Sequence, residues 1–337
     1  MKTKNYFNNL IRNELALLGI LASLALLAAC APRALTTATV QQVAQTEFAA
    51  VLTQTQVAAP IATITPLPLP SSTPAPTLPP SATPLPTLDT RPDPEQWTNW
   101  PVIPTLSAVA KEIYLKGIAK GNDAHVFSVV GDCQSEPNVF LGFYETDRYR
   151  LSDPYKYLQE TIDYYKGSFS SKSLAVRDGL DPAGALTSLW ADQKVCKTNE
   201  SMVVCELRVR KPSVMFINLG TNWRADASTV AYEKALRAMV QLVVDNGTLP
   251  ILMTKADNVE GDNSINRDTA RIAHDFDVPL LNFWLGSNDL PNHGLDGSNA
   301  HKVKNIYLTP DAWDRRNFLS LLSLDGVRRG LLGLPIP

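Results

Sequence analysis

Short apolar runs that alternate with helix-like segments constrain the fold most. The runs "HVFSVVGD", "SVMFINLGTN", "LPILMTKADN" and "PLLNFW" are almost continuously apolar. Strands of this kind are buried on both faces, which is typical of parallel sheets covered by helices. Between two of them, "STVAYEKALRAMVQLVVDNG" has the 3.6-residue apolar period of a helix and ends at Asn-Gly. The order of elements predicts an α/β domain with a mostly parallel sheet between two helical layers.

The first thirty residues have the pattern of an export signal. Basic residues precede an apolar run, Leu15–Leu27, and two alanines stand before Cys30. The run is shorter than the roughly 20 apolar residues of a membrane-spanning helix. "LAAC" resembles the lipobox of bacterial lipoproteins, whose cysteine carries a lipid. We therefore expect a lipoprotein signal peptide over 1–29 and lipidation at Cys30; the alternative is an ordinary signal peptide with a chance cysteine at its end.

Residues 30–97 are rich in Pro, Thr, Ala, Gln and Ser. Such a segment cannot bury enough apolar surface to offset the entropy of ordering, so we expect a disordered tether. At about 3.1 Å per residue, its Pro-rich part could span roughly 100 Å. The folded domain is then expected over 98–337, exported and held by lipid at the outer face of the bacterial cell membrane.

The cysteines separate into three kinds. If Cys30 carries lipid, three cysteines remain. Cys196 and Cys205 flank a polar turn and a strand-like run, and a disulfide between these two is the simplest pairing. Export makes such a bond chemically permissible. Cys133 is left as a single free thiol.

Composition argues against several functions. The formal net charge is -2 and no long basic run interleaved with aromatic residues occurs, which disfavours nucleic-acid binding. The four histidines are isolated from one another, "DNVEGDN" lacks calcium-loop spacing, and no Gly-rich phosphate motif occurs. We expect no metal and no cofactor. The sequence gives no indication of the oligomeric state.

Ligands of parallel sheets bind beyond the carboxyl ends of the strands. The loops "GDCQS", "GTNW", "TKADNVEGD" and "LGSNDLPNHGLDGSNAH" follow four predicted strands. They offer what acyl transfer needs: Cys133 as nucleophile, His301 as base, and the Cys133 N–H with the Asn222 amide as oxyanion donors.

Three neighbouring residues support these loops. Gly131 and Gly220 permit sharp turns off their strands. Asp132 is expected to order its loop by accepting backbone N–H bonds.

"VVGDCQS", "INLGTNW" and the histidine-containing "NHGLDGSNAHKV" resemble blocks of the SGNH (GDSL-type) hydrolase superfamily, over about residues 110–331. The resemblance implies a flavodoxin-like three-layer α/β/α fold, no cofactor and hydrolysis of esters, including carbohydrate esters. It also implies that Gly184 supplies a second oxyanion N–H.

This chain departs from the superfamily pattern at two positions. Cys133 replaces the serine nucleophile, and Ser298 stands where an aspartate normally orients the histidine. Asp296 is a candidate substitute for that aspartate.

Other assignments of nucleophile and base remain open. Aligning "NIYLTPDAW" on the run after the superfamily's histidine places Tyr307 in the histidine's position, and the site then has no base. Ser135 is an alternative nucleophile and His293 an alternative base.

Two functions from different classes follow. The first is a surface-tethered hydrolase acting on carbohydrate or cell-envelope esters. The second is a catalytically degenerate domain of the same fold that binds a glycan or envelope polymer.

Overall fold

The computed structural model describes residues 91–223, 228–297, 307–335 and 337. Its helices and strands, in chain order, are α1 (Ala108–Ala119), β1 (Asp123–Gly131), α2 (Gln159–Tyr164), α3 (Pro182–Ala185), α4 (Met202–Arg210), β2 (Pro212–Asn218), α5 (Thr229–Asn246), β3 (Leu249–Met253), α6 (Ser264–Phe276), β4 (Leu280–Leu281), α7 (Phe283–Gly286) and α8 (Pro310–Leu332). Short 3-10 helical turns lie at Pro94–Asn99, Cys133–Ser135, Gly142–Glu145, Asp153–Leu158 and Pro291–Gly294.

The four strands form one parallel sheet in the order β1-β2-β3-β4. The predicted α/β class with a parallel sheet is confirmed. The last predicted strand is shorter than its apolar run, because Asn282 ends β4 and its side chain accepts the Leu285 N–H at 3.2 Å, which starts α7.

Helices cover the sheet in two groups, giving a three-layer α/β/α sandwich. α5 packs with α4 and α6, whereas α8 packs with α1 and α2. The apolar stripe predicted for α5 is fully buried and comprises Tyr232, Leu236, Met239, Val240 and Val243. Gly247 caps the C-terminus of α5 and has a φ of +82°.

β1 has one further neighbour on its outer edge. The Gly131 N–H donates to the Ala175 carbonyl at 3.2 Å, and the Arg177 N–H donates to the Gly131 carbonyl at 3.1 Å. This single parallel bridge brings the segment after Ala175 to the carboxyl end of β1. The apolar run "SLAV" was not predicted as part of the sheet.

The region around the disulfide combines one confirmed and one wrong prediction. Cys196 and Cys205 are bonded, as predicted, with their Cα atoms 5.3 Å apart. The strand-like run before Cys205 is instead part of helix α4, because Ser201 caps it by accepting the Val204 N–H at 3.3 Å.

The packed unit includes residues ahead of position 98. Trp97 is buried, and its ring meets Trp284 edge-on at 5.1 Å between centroids. Asn282 donates to the Trp97 carbonyl at 2.9 Å. Within the described ranges, no helix is long and apolar enough to cross a membrane.

Gly117 of α1 provides a test of the packing. A Cβ at this position would lie 1.9 Å from the Gly247 carbonyl oxygen, so the backbone would have to shift. We expect Gly117→Ala to lower the free energy of unfolding by about 2–3 kcal/mol, measured by urea denaturation.

Gly326→Ala in α8 is the matched control. Its nearest heavy atom, the Pro104 carbonyl oxygen, would lie 4.0 Å from the new Cβ. Better helix propensity should leave this variant unchanged or up to about 1 kcal/mol more stable. Equal stability of the two variants would contradict the close approach at Gly117.

Candidate active site

The turn after β1 carries the candidate nucleophile. Asp132 is buried and caps the 3-10 turn Cys133–Ser135, because its Oδ1 accepts the Gln134 N–H at 2.9 Å. The N–H of Cys133 is the first of the turn, and such an N–H has no partner within the turn. It can therefore donate to a ligand placed beside the thiol.

Asn222 reaches the same turn from the loop after β2. Its Nδ2 donates to Asp132 Oδ2 at 2.7 Å, which leaves the second amide hydrogen available for another acceptor. Gly220 makes this loop possible, because its φ is +125° and a Cβ there would lie 2.7 Å from Ile265 Cγ2. The predicted proximity of the first two loops is therefore present in the structure.

A buried guanidinium faces the buried carboxylate. Burial raises the pKa of Asp132 to about 6, and the charge of Arg316 opposes that rise. Arg316 lies on α8, donates to the Gln134 carbonyl and sits 5.0 Å over the Phe140 ring. Its own pKa is lowered to about 10 by burial, against the attraction of Asp132 and Cys133.

The Cys133 thiol is half-buried and acidic groups surround it. The side chains of Asp178 and Tyr307 lie close enough to the thiol to interact with it. Burial, then the negative charges of Asp132 and Asp178, raise the pKa of the thiol to about 12, and the Tyr307 hydroxyl opposes this. The thiol is therefore protonated at neutral pH and needs a base before it can attack.

Tyr307 is held beside the thiol by a short two-stranded contact. Its carbonyl accepts the Asp296 N–H at 2.8 Å, and the Thr309 N–H donates to the Gly294 carbonyl at 2.8 Å. The alternative register of the sequence places Tyr307 at the position of the superfamily's histidine, and that assignment stays a prediction. The predicted base His301 and the substituted position Ser298 lie outside the described residues.

Gly184 was expected to supply an oxyanion N–H. That N–H donates to Asp181 Oδ1 at 2.7 Å, because Asp181 caps the short helix α3. The hydrogen bond occupies the group that the resemblance assigned to the oxyanion.

Ser135 and His293 are the alternative nucleophile and base. Ser135 is buried, accepts from Asn218 Nδ2 at 2.9 Å, and fills the space where Gly131 has no side chain. The His293 ring lies 5.1 Å from the ring of Trp284, and its buried Nδ1 has no hydrogen-bond partner among the described residues.

A buried charge cluster in the loop after β3 joins two of the predicted loops. Lys255 Nζ donates to Asp257 Oδ1 and to Glu260 Oε2, both at 2.7 Å. Thr221 Oγ1 donates to Asp257 Oδ2 at 2.9 Å, which links this loop to the one after β2. Because the ammonium is paired and the carboxylates are bonded, the cluster supports the cleft and supplies no free reactive group.

Asp178 is the site residue that sequence reasoning missed. It follows the bridge at the edge of β1 and is exposed at the surface. Its signal in the sequence, an Asp-Gly pair one residue after the apolar run 174–176, is common to many turns. Only the contact with Cys133 distinguishes it.

No family model matches this chain, and no curated protein matches it. Three solved structures are similar to it in fold. They are a GDSL-like lipase from Bacteroides thetaiotaomicron (14% identity, 68% of this chain and 98% of that one, TM-score 0.36), a putative acylhydrolase from Bacteroides fragilis (13%, 70% and 95%, 0.39) and a catalytic mutant of an acetylxylan esterase from Geobacillus stearothermophilus (14%, 59% and 93%, 0.36).

Alkylation tests the environment of the thiol. The pKa of about 12 lies three units above the reference of 9.0, so the thiolate fraction at pH 8 is about 10³-fold lower than in an unfolded chain. We expect iodoacetamide to modify Cys133 about 10²-fold more slowly in the native protein than in urea, because a thiolate of higher pKa is also the stronger nucleophile and offsets part of the difference. Mass spectrometry of the Cys133 peptide separates this thiol from Cys30. A native rate at pH 7 that matches free cysteine would contradict the acidic surroundings.

Asp132 also predicts a pH dependence of stability. Its folded pKa of about 6 exceeds the reference of 3.8, so the native state holds the proton more tightly. The resulting contribution, up to about 3 kcal/mol, is complete below pH 4 and is lost as the pH rises through 6. Asp132→Asn should remove this component from the unfolding free energy measured between pH 4 and 6.5. The exposed variant Asp153→Asn should keep the wild-type slope.

Proposed function

We propose that this domain is an ester hydrolase whose nucleophile is Cys133. The observation that supports it best is the position of the thiol at the carboxyl end of β1, in contact with Asp178 and Tyr307 and beside two candidate oxyanion donors. A neutral thiol next to a carboxylate and a hydroxyl can transfer its proton as it attacks an acyl carbon.

The oxyanion would be received by the Cys133 N–H and the Asn222 amide. Asp132 fixes the direction of that amide through its 2.7 Å hydrogen bond, so the donor is oriented before substrate binds. Preorganised donors of this kind supply much of the rate in acyl transfer. His301, the base expected from sequence, remains a prediction.

The substrate and location form a second level of the proposal. We infer an ester of a carbohydrate or of another envelope component, because the signal-like segment 1–29, Cys30 and the Pro/Thr-rich segment 30–97 would hold the domain at the outer face of the cell membrane.

A binding domain without catalysis is the second candidate. It is favoured by the raised pKa of Cys133 and by the hydrogen bond from the Gly184 N–H to Asp181. In that case the same cleft would hold a glycan or envelope polymer without turnover.

Hydrolysis of p-nitrophenyl acetate by the full chain in detergent separates the candidates. We expect a rate above buffer for the wild type and none above buffer for Cys133→Ala, because the covalent step needs the thiol. Asn222→Ala should lower kcat about 10²–10³-fold, the usual effect of removing one oxyanion donor.

Asn99→Ala, an exposed substitution on the N-terminal turn, is the control and should keep the wild-type rate. A wild-type rate equal to buffer, or full activity of Cys133→Ala, would reject the hydrolase with this nucleophile. A wild-type rate equal to buffer would favour the second candidate, the glycan-binding domain.

A further inference from the structure

The segment at the free edge of β1 places a carboxylate against the candidate nucleophile. The two hydrogen bonds between Gly131 and the Ala175–Arg177 backbone fix the direction in which the chain leaves the sheet. Asp178, the next residue, is exposed, and its carboxylate lies close enough to the Cys133 thiol to raise the pKa of that thiol. Because this position is anchored to the strand that ends two residues before Cys133, the approach of the carboxylate does not depend on a distant loop.

The other groups facing the thiol are unsuited to take its proton. Both Asp132 oxygens accept hydrogen bonds, from the Gln134 N–H and the Asn222 amide. Tyr307 presents a hydroxyl, whose neutral form is an acid rather than a base. Arg316 is a cation bonded to the Gln134 carbonyl.

The histidines within the described ranges contact other groups. The His125 Nδ1 lies 3.0 Å from the Tyr164 carbonyl, and His274 lies beside Asp275. The His293 ring packs on Trp284, and its buried Nδ1 has no hydrogen-bond partner among the described residues.

We propose that Asp178 is the general base that receives the Cys133 proton, with Tyr307 as the hydroxyl that orients the sulfur. This inference rests on the proposed hydrolase function and replaces the expected histidine in that mechanism. A thiol held by a carboxylate can react without first becoming a thiolate, because proton transfer accompanies attack.

In the acylation step the S–H proton moves to a carboxylate oxygen of Asp178 while Sγ bonds to the acyl carbon, and the carbonyl electrons move to the oxygen held by the Cys133 N–H and Asn222. When the carbon–oxygen bond to the leaving alcohol breaks, the alkoxide takes that proton from Asp178. In deacylation a water molecule gives one proton to the same carboxylate as its oxygen bonds to the acyl carbon. The carbon–sulfur bond then breaks, Asp178 returns the proton to the sulfur, and the carboxylic acid leaves.

Asp178→Asn tests this role, because the amide keeps the size of the side chain and loses its basicity. We expect kcat/KM for p-nitrophenyl acetate to fall about 10²–10⁴-fold in the full chain. The rate of Cys133 alkylation by iodoacetamide at pH 9 should instead increase about 3–10-fold, because the substitution removes a negative charge beside the thiol. Asp178→Glu, which keeps the carboxylate, should recover part of the hydrolysis.

Asp153→Asn is the matched control, because that carboxylate is 87% exposed and pairs with Lys156. Asp153→Asn should change neither the rate of hydrolysis nor the rate of Cys133 alkylation. The midpoints of thermal unfolding should agree among all variants. If the wild type is active and the kcat/KM of Asp178→Asn is within twofold of the wild-type value, this inference alone is overturned. Loss of hydrolysis in His301→Ala, with hydrolysis retained in Asp178→Asn, would overturn it as well. A wild type no faster than buffer would overturn the proposed hydrolase function as well.

Discussion

The turn that carries Cys133 depends on two buried side chains from distant parts of the chain. Asp132, which follows the first strand, caps the turn, and Arg316 on the last helix donates to the Gln134 carbonyl of the same turn, 182 residues away in sequence. Leaving a buried acceptor without its partner costs about 1–3 kcal/mol. The position of the thiol therefore depends on α8 being docked on the sheet, which makes the site a property of the complete domain.

Burial and the charges around this turn explain the unusual chemistry of the thiol. Reactive cysteines normally lie near cations or helix N-termini that lower their pKa. Here Arg316 is engaged by the Gln134 carbonyl, while Asp132 and Asp178 add negative charge beside Cys133. The surroundings suit a neutral nucleophile that loses its proton during attack, as a hydroxyl would, more than a preformed thiolate.

Local patterns in the sequence predicted the parts of the fold that local physics determines. Four apolar runs became parallel strands, the stripe of α5 became buried, and Cys196 paired with Cys205. The helical form of α4 was missed because its apolar run also fits a strand. Asp178 and Arg316 could not be predicted, since their importance comes from contacts with Cys133 and Asp132 that only tertiary packing creates.

Asp132 affects two requirements of acyl transfer in opposite ways: an oriented oxyanion donor and a thiol that loses its proton readily. As a carboxylate it orients the Asn222 amide, and it also raises the pKa of the thiol. When it takes a proton, near pH 6, the first effect weakens and the second is relieved. A site built in this way cannot gain a more acidic thiol by losing this charge without loosening its oxyanion donor. The carboxylate at Asp178 acts on the thiol, and its charge also raises the pKa of Asp132 and of Tyr307. It can take the proton of the thiol while Asp132 keeps its hydrogen bond with the Asn222 amide.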